Sequence, residues 1–210
     1  MKKIIYTLVL ATVGFVSNSN AQVAQGSIII DPYYGFPNFG ARTASIFEVD
    51  GNSGVEVKGL GPLGLRAEYV VSEKVGIGLD VIYNDYDVRY TSTDSLYNGT
   101  TGTWSTTSTS NRFTMQRLRV QARMNYHFET NNPNFDAYFG VGAGTNNRFR
   151  KVYENGVEVN DEVDLGNITL LPVSIRICTG FRYYFAENIG INFELGLGGP
   201  VLSGGVSMRF

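Results

Sequence analysis

The last third of the chain alternates strictly between apolar residues and small or polar ones. Between Ile189 and Gly198 every odd position is apolar and every even position is glycine, asparagine or glutamate. A period of two over ten residues is typical of a β-strand with one apolar face, because successive side chains of a strand point to opposite sides. On a helix the same apolar residues would be scattered around the whole circumference. The segment therefore predicts a strand.

Seven further segments show the same alternation, so the sequence predicts eight strands. Their bounds are 27–34, 63–71, 75–84, 118–128, 137–145, 171–185 and 202–210. The first segment is apolar on both faces at Ile28, Ile29 and Ile30, so the pattern leaves its register open. A composition of 25 Gly, 13 Tyr and 13 Phe suits strands and tight turns.

The connections between the predicted strands are mostly short on one side and long on the other. Short connections are predicted at 72–74, 129–135 and 186–188, and long polar loops at 35–58, 91–111 and 153–166. The last connection, near Gly199, is short and departs from this rule. This rhythm predicts an all-β fold, an eight-stranded antiparallel up-and-down barrel.

The N-terminus predicts export. Residues 1–3 include two lysines, residues 4–16 are almost entirely apolar, and Ala21 is a small residue before an expected cleavage point. This is the layout of a secretory signal peptide, and its apolar run is too short for a comfortable transmembrane helix. We expect residues 1–21 to be a signal peptide and residues 22–210 to form one barrel domain.

Alternation alone fits two kinds of barrel, one with the apolar face inward and one with that face towards lipid. The polar face of the predicted strands is rich in glycine and arginine and nearly lacks lysine, which is unlike a solvated outer surface. Aromatic residues also gather near the strand ends, and ten-residue strands match the tilted span of an outer membrane. These features favour a transmembrane barrel.

In a transmembrane barrel the charged residues of the strands would share the interior. Eight strands leave a lumen that side chains just fill, and a buried charge without a partner is costly. We therefore expect a plugged interior with an arginine–carboxylate network. A gated ion path is the alternative. The predicted members are Arg66, Glu68, Asp80, Arg119, Arg123, Arg176, Arg182, Glu194 and Arg209.

The chain resembles the small eight-stranded outer-membrane barrels of Gram-negative bacteria, the OmpA/OmpX type. The resemblance rests on the alternating strands, the alternation of short and long connections, the signal peptide and the terminal stretch from Val206 to Phe210. The resemblance covers the whole mature chain. It implies a location in the cell outer membrane, contact with outer-membrane lipids and lipopolysaccharide, and a monomer. It also implies that Phe210 is the signal read by the barrel assembly machinery.

Little in the sequence points to catalysis or to a cofactor. His127 is the only histidine and is expected to face inward near the 129–135 turn, so we expect no enzyme activity, no cofactor and no assigned metal site. The acidic residues of the third long loop are read either as a divalent-cation site or as a solvated loop. They are Glu154, Glu158, Asp161, Glu162 and Asp164.

The loop with Tyr97 and Trp104 is read either as a surface for an extracellular ligand or as a loop tip. A net charge of −2 argues against a nucleic-acid partner. The predicted function is a structural or surface-interaction role in the outer membrane. A small porin-like channel and a soluble exported ligand-binding barrel remain as alternatives.

Overall fold

A computed structural model describes residues 23–38, 52–159 and 172–210, with the backbone alone for residues 52–54. The predicted signal peptide lies outside the described residues, as do Asp161, Glu162 and Asp164. None of the described residues belongs to a helix long and apolar enough to cross a bilayer.

The described residues form eleven strands. They are β1 Ile28–Phe36, β2 Asn52–Lys58, β3 Leu63–Ser72, β4 Val75–Asn98, β5 Thr103–Phe128, β6 Phe135–Thr145, β7 Asn147–Glu154, β8 Val157–Val159, β9 Val173–Tyr184, β10 Ile189–Leu197 and β11 Leu202–Arg209.

Eight of these strands close into a ring in the order β1, β3, β4, β5, β6, β9, β10, β11 and back to β1. Every pairing is antiparallel, and the closing pair β1–β11 aligns Ile29 with Arg209 and Phe36 with Leu202. Closure leaves the ring without a free edge, so the backbone N–H and C=O groups are paired between neighbouring strands. The predicted eight-stranded antiparallel barrel is confirmed.

The predicted short turns are also confirmed, and they lie at one end of the ring. They separate β3 from β4, β5 from β6, and β9 from β10. We call this the turn end, and the opposite end the arm end. The first strand takes a register in which Ile29, Asp31 and Tyr33 are buried in the interior and Ile28 and Tyr34 point outward.

The predicted long loop at 91–111 is wrong. Strands β4 and β5 continue through it as one paired ribbon, from Tyr86 opposite Met115 to Asn98 opposite Thr103. We call residues 86–115 the arm. At about 3.3 Å per residue it is a ribbon roughly 40 Å long.

The other two long connections also contain strands, since β2 pairs with β4 and the β7–β8 hairpin pairs with β5. The sequence of the arm shows no apolar period because both of its faces are mostly exposed. Its Thr and Tyr content is nonetheless typical of strands.

Candidate functional site

The outer surface of the ring is apolar over its whole circumference. Leu79, Leu195 and Ile175 are 54%, 55% and 66% exposed, respectively. Among the described residues, the outward positions of the ring carry no Asp, Glu, Lys or Arg in the stretches 28–36, 63–69, 75–83, 118–128, 135–145, 173–183, 189–197 and 202–208. Ordinary soluble monomers do not expose a continuous apolar surface of this extent.

Aromatic side chains border this surface at both ends. At the turn end they are Tyr69, Tyr126, Phe128, Tyr183 and Phe185, and at the arm end Tyr34, Phe36 and Tyr83. The stretch 118–128, tilted by about 40° from the barrel axis, gives the surface a height of roughly 25 Å. We call the apolar surface between these borders the belt.

The interior near the arm end is organised around one carboxylate. Glu194 accepts hydrogen bonds from Arg66 at 2.9 Å, Arg123 at 2.6 Å and Tyr138 at 2.9 Å, and it also pairs with Arg176. The side chains of these three arginines and of Glu194 are at most 3% exposed. One carboxylate thus joins guanidinium groups from three different strands.

Asp80 is the second acid of this cluster. It accepts a hydrogen bond from the hydroxyl of Tyr33 at 2.7 Å and pairs with Arg123 at 3.2 Å. Glycines make room for the tyrosines. A Cβ at Gly64 would lie 2.0 Å from Cζ of Tyr33, and one at Gly180 would lie 2.7 Å from Cζ of Tyr138.

A second cluster, nearer the turn end, surrounds Arg182. Its guanidinium group pairs with Asp31 at 2.9 Å, Glu68 at 2.6 Å and Asp136 at 2.8 Å. Glu68 lies on β3 and Arg182 on β9, which are four places apart in the ring of eight and so lie on opposite walls. Their contact therefore crosses the full width of the lumen.

His127 completes the second cluster. Its Nδ1 lies 2.8 Å from a carboxylate oxygen of Asp136, and its Nε2 lies 2.8 Å from one of Glu68. An ionised carboxylate can only accept hydrogen bonds, so with both carboxylates ionised each ring nitrogen donates a proton and the ring is positively charged.

A charged His127 balances the two clusters. The acids are Asp31, Glu68, Asp80, Asp136 and Glu194, and the cations are Arg66, Arg123, Arg176, Arg182 and His127. Five negative charges therefore meet five positive ones among side chains that are at most 5% exposed. We call these ten residues the plug.

Seven of the nine predicted interior residues lie in the plug, and two lie elsewhere. Arg119 is near the arm end and donates from Nε to Oδ1 of Asn146 at 3.3 Å. Arg209 is at the turn end, where it donates to the carbonyl oxygen of Glu187 at 3.0 Å and lies over the ring of Tyr184.

From the sequence, Asp31 and Asp136 were not included among the interior charges, and no hydrogen-bond partner was predicted for His127. Asp136 directly precedes a predicted strand and has the inward parity of that strand, so extending the strand by one residue would have found it. Phe210 exchanges two backbone hydrogen bonds of 2.9 Å with Ile28, which extends the closing pair β1–β11. Its role as an assembly signal stays a prediction.

The arm carries exposed aromatic side chains at its tip. The rings of Tyr97 and Trp104 lie across the two strands with centroids 5.1 Å apart, and Trp104 is 70% exposed. At its base Asp87 pairs with Arg112 and Arg89. Burial raises the pKa of Asp87, but the hydrogen bonds from these arginines outweigh burial and lower this pKa overall.

Within the described ranges, no three histidine, cysteine, aspartate or glutamate side chains are placed to hold a metal ion. Of the acidic residues predicted for the third long loop, Glu154 and Glu158 lie on the β7–β8 hairpin, where Glu158 pairs with Lys151 at 3.1 Å.

The chain is similar to solved outer-membrane and designed barrels. It matches the outer membrane protein OprG of Pseudomonas aeruginosa with 14% identity and a TM-score of 0.44, over 90% of this chain and 99% of that one. It matches the N-terminal β-barrel domain of OprF from the same organism with 14% identity and a TM-score of 0.42, over 89% and 98%.

A third match is a structure described as "De novo design of transmembrane beta-barrels", with 12% identity and a TM-score of 0.43, over 89% and 97%. No protein-family model matches the chain, and no curated protein matches it.

Proposed function

We propose that this chain is an integral outer-membrane barrel with a plugged interior, which anchors the arm at the cell surface and has a structural or surface-interaction role. The observation that carries the proposal is the belt. An apolar surface about 25 Å high with aromatic borders matches the hydrocarbon layer and interfaces of an outer membrane. A closed ring also satisfies the backbone hydrogen bonds that hydrocarbon cannot supply.

The plug supports a barrel without an open channel. The Glu68–Arg182 contact at 2.6 Å joins opposite walls, and the Glu194 cluster lies above it. A small porin-like channel would require both clusters to separate and leave charges without partners, at a large cost. The same geometry supports a place for His127 in the plug over a catalytic role, because both of its ring nitrogens lie within hydrogen-bond distance of buried carboxylates.

The soluble alternative places an apolar ligand inside the barrel. The plug opposes that alternative because most buried inward positions of the ring carry charged side chains, other polar side chains or tyrosine. The partners that follow from the proposal are outer-membrane lipids and lipopolysaccharide around the belt, the assembly machinery, and an external ligand at the arm. We propose a monomer, since the proposed surroundings of the belt are lipid.

Fractionation and surface labelling test this proposal together. The full chain, expressed in a Gram-negative host, is expected in the outer-membrane fraction. Only detergent should extract it, and its gel mobility should change on heating. Recovery as a soluble periplasmic protein would contradict the proposal.

On whole cells, Ser108→Cys on the arm should react with a membrane-impermeant maleimide. The matched variant Glu73→Cys, in a turn at the other end, should react only after the outer membrane is permeabilised. Planar bilayers containing the purified protein should show no large steady conductance, and such a conductance would contradict the plugged interior.

A further inference from the structure

Arginines collect at the arm-end mouth of the interior, above the plug. Arg117 and Arg119 lie on β5, and Arg148 on β7 is directly opposite Arg117. Arg117 and Arg119 have the parity of the buried Arg123, so they point to the interior side of the wall. Residues directly opposite in an antiparallel pair share a face, so Arg148 lies on that side too. We call these three residues the mouth cluster.

The mouth cluster has no acidic partner in the described part of the chain. The Nε group of Arg117 is buried without a hydrogen-bond partner. Arg119 is bonded to the neutral amide of Asn146. The nearby carboxylates, Asp80 and Glu194, are already shared among the arginines of the plug.

The members of the mouth cluster repel one another. The positive charges of Arg117 and Arg148, and of Arg176 below them, all act on Arg119. Arg117 is partly withdrawn from solvent, so water screens this repulsion less than it would on an open surface. A bound anion would remove the repulsion and supply the missing hydrogen-bond acceptor.

We infer that the mouth cluster binds the phosphate group of a dissolved solute. Guanidinium groups form paired hydrogen bonds with the oxygens of phosphate, and several arginines together suit an anion with more than one charge. The cluster faces the interior, so the barrel wall separates it from the lipid side. This position favours a solute that enters from the external solution over a lipid headgroup. The inference goes beyond the anchoring role, and it rests on the proposed placement of the barrel in a membrane.

Calorimetric titration of the full chain in maltoside micelles at low ionic strength tests the inference. Inorganic pyrophosphate is expected to bind at one saturable site, more tightly than inorganic phosphate. Arg117→Gln and Arg119→Gln should each weaken pyrophosphate binding roughly ten-fold. Arg148→Gln should weaken pyrophosphate binding as well. Because Arg148 is exposed, this variant is the least prone to folding defects. Arg112→Gln, whose side chain pairs with Asp87 on the other face, is the matched control and should bind like the wild type.

Several results would overturn the inference. One is the absence of saturable binding, and another is an equal loss of affinity in Arg112→Gln. A third is binding only of dodecyl phosphate carried in the micelles, which would assign the cluster to lipid headgroups. A fourth is pyrophosphate binding that appears only in the triple variant Asp161→Asn, Glu162→Gln, Asp164→Asn, which would show that the chain's own acidic segment neutralises the cluster.

Discussion

Replacing Glu194 with glutamine is expected to lower the free energy of unfolding by about 3–5 kcal/mol, the usual cost of removing one partner from a buried ion pair. The substitution keeps the shape of the side chain and removes only its charge. Three buried arginines then lose their shared carboxylate, and the plug holds five cations against four acids. Urea unfolding in detergent micelles measures the change in the free energy of unfolding, and the heat-modifiable gel band reports the fraction of folded protein at each urea concentration.

Two companion variants separate charge balance from general damage. Glu187→Gln, in the exposed turn before β10, is expected to change stability by less than about 0.5 kcal/mol. The double variant Glu194→Gln, Arg176→Met restores equal numbers of charges in the plug and should recover part of the lost stability. If the double variant is less stable than Glu194→Gln alone, the plug does not depend on charge balance.

Replacing Leu79 with arginine is expected to cost about 2–4 kcal/mol when the protein is folded in lipid vesicles, because Leu79 lies midway between the aromatic borders of the belt. The matched control is Leu96→Arg. Both leucines lie on β4 and both are largely exposed, at 54% and 74%, but Leu96 is on the arm. Leu96→Arg should change stability by less than about 0.5 kcal/mol. A soluble barrel would tolerate the two substitutions equally well.

The ring could be predicted from the sequence because each of its strands except β1 shows one clearly apolar face. Between Ile189 and Leu197 the parity alone separates outward Phe193 from inward Glu194, and the structure gives the same alternation. The parity of β1 was hidden, because Ile28, Ile29 and Ile30 are apolar on both faces. Only the pairing of β1 with β3 and β11 fixes its register and brings Asp31 into the plug.

The partners within the plug could not be predicted. Glu68 and Arg182 are 114 positions apart in the chain, and their contact depends on the stagger of strands around the ring. Strand parity gives the face of a residue but not its height along the barrel axis. For this reason Arg119 and Arg123, which both point inward from β5, lie at different heights and have different partners. Arg123 pairs with Glu194, whereas Arg119 lies at the arm-end mouth of the interior.

The central claim is that the apolar row of each ring strand faces lipid. Nitroxide labels attached to Leu79→Cys and Leu96→Cys, in separate variants folded into lipid vesicles, test it most directly. At position 79 we expect strong relaxation by oxygen, which partitions into hydrocarbon, and little by a water-soluble nickel complex; at position 96 we expect the reverse. Relaxation by the nickel complex as strong at position 79 as at position 96 would contradict the account.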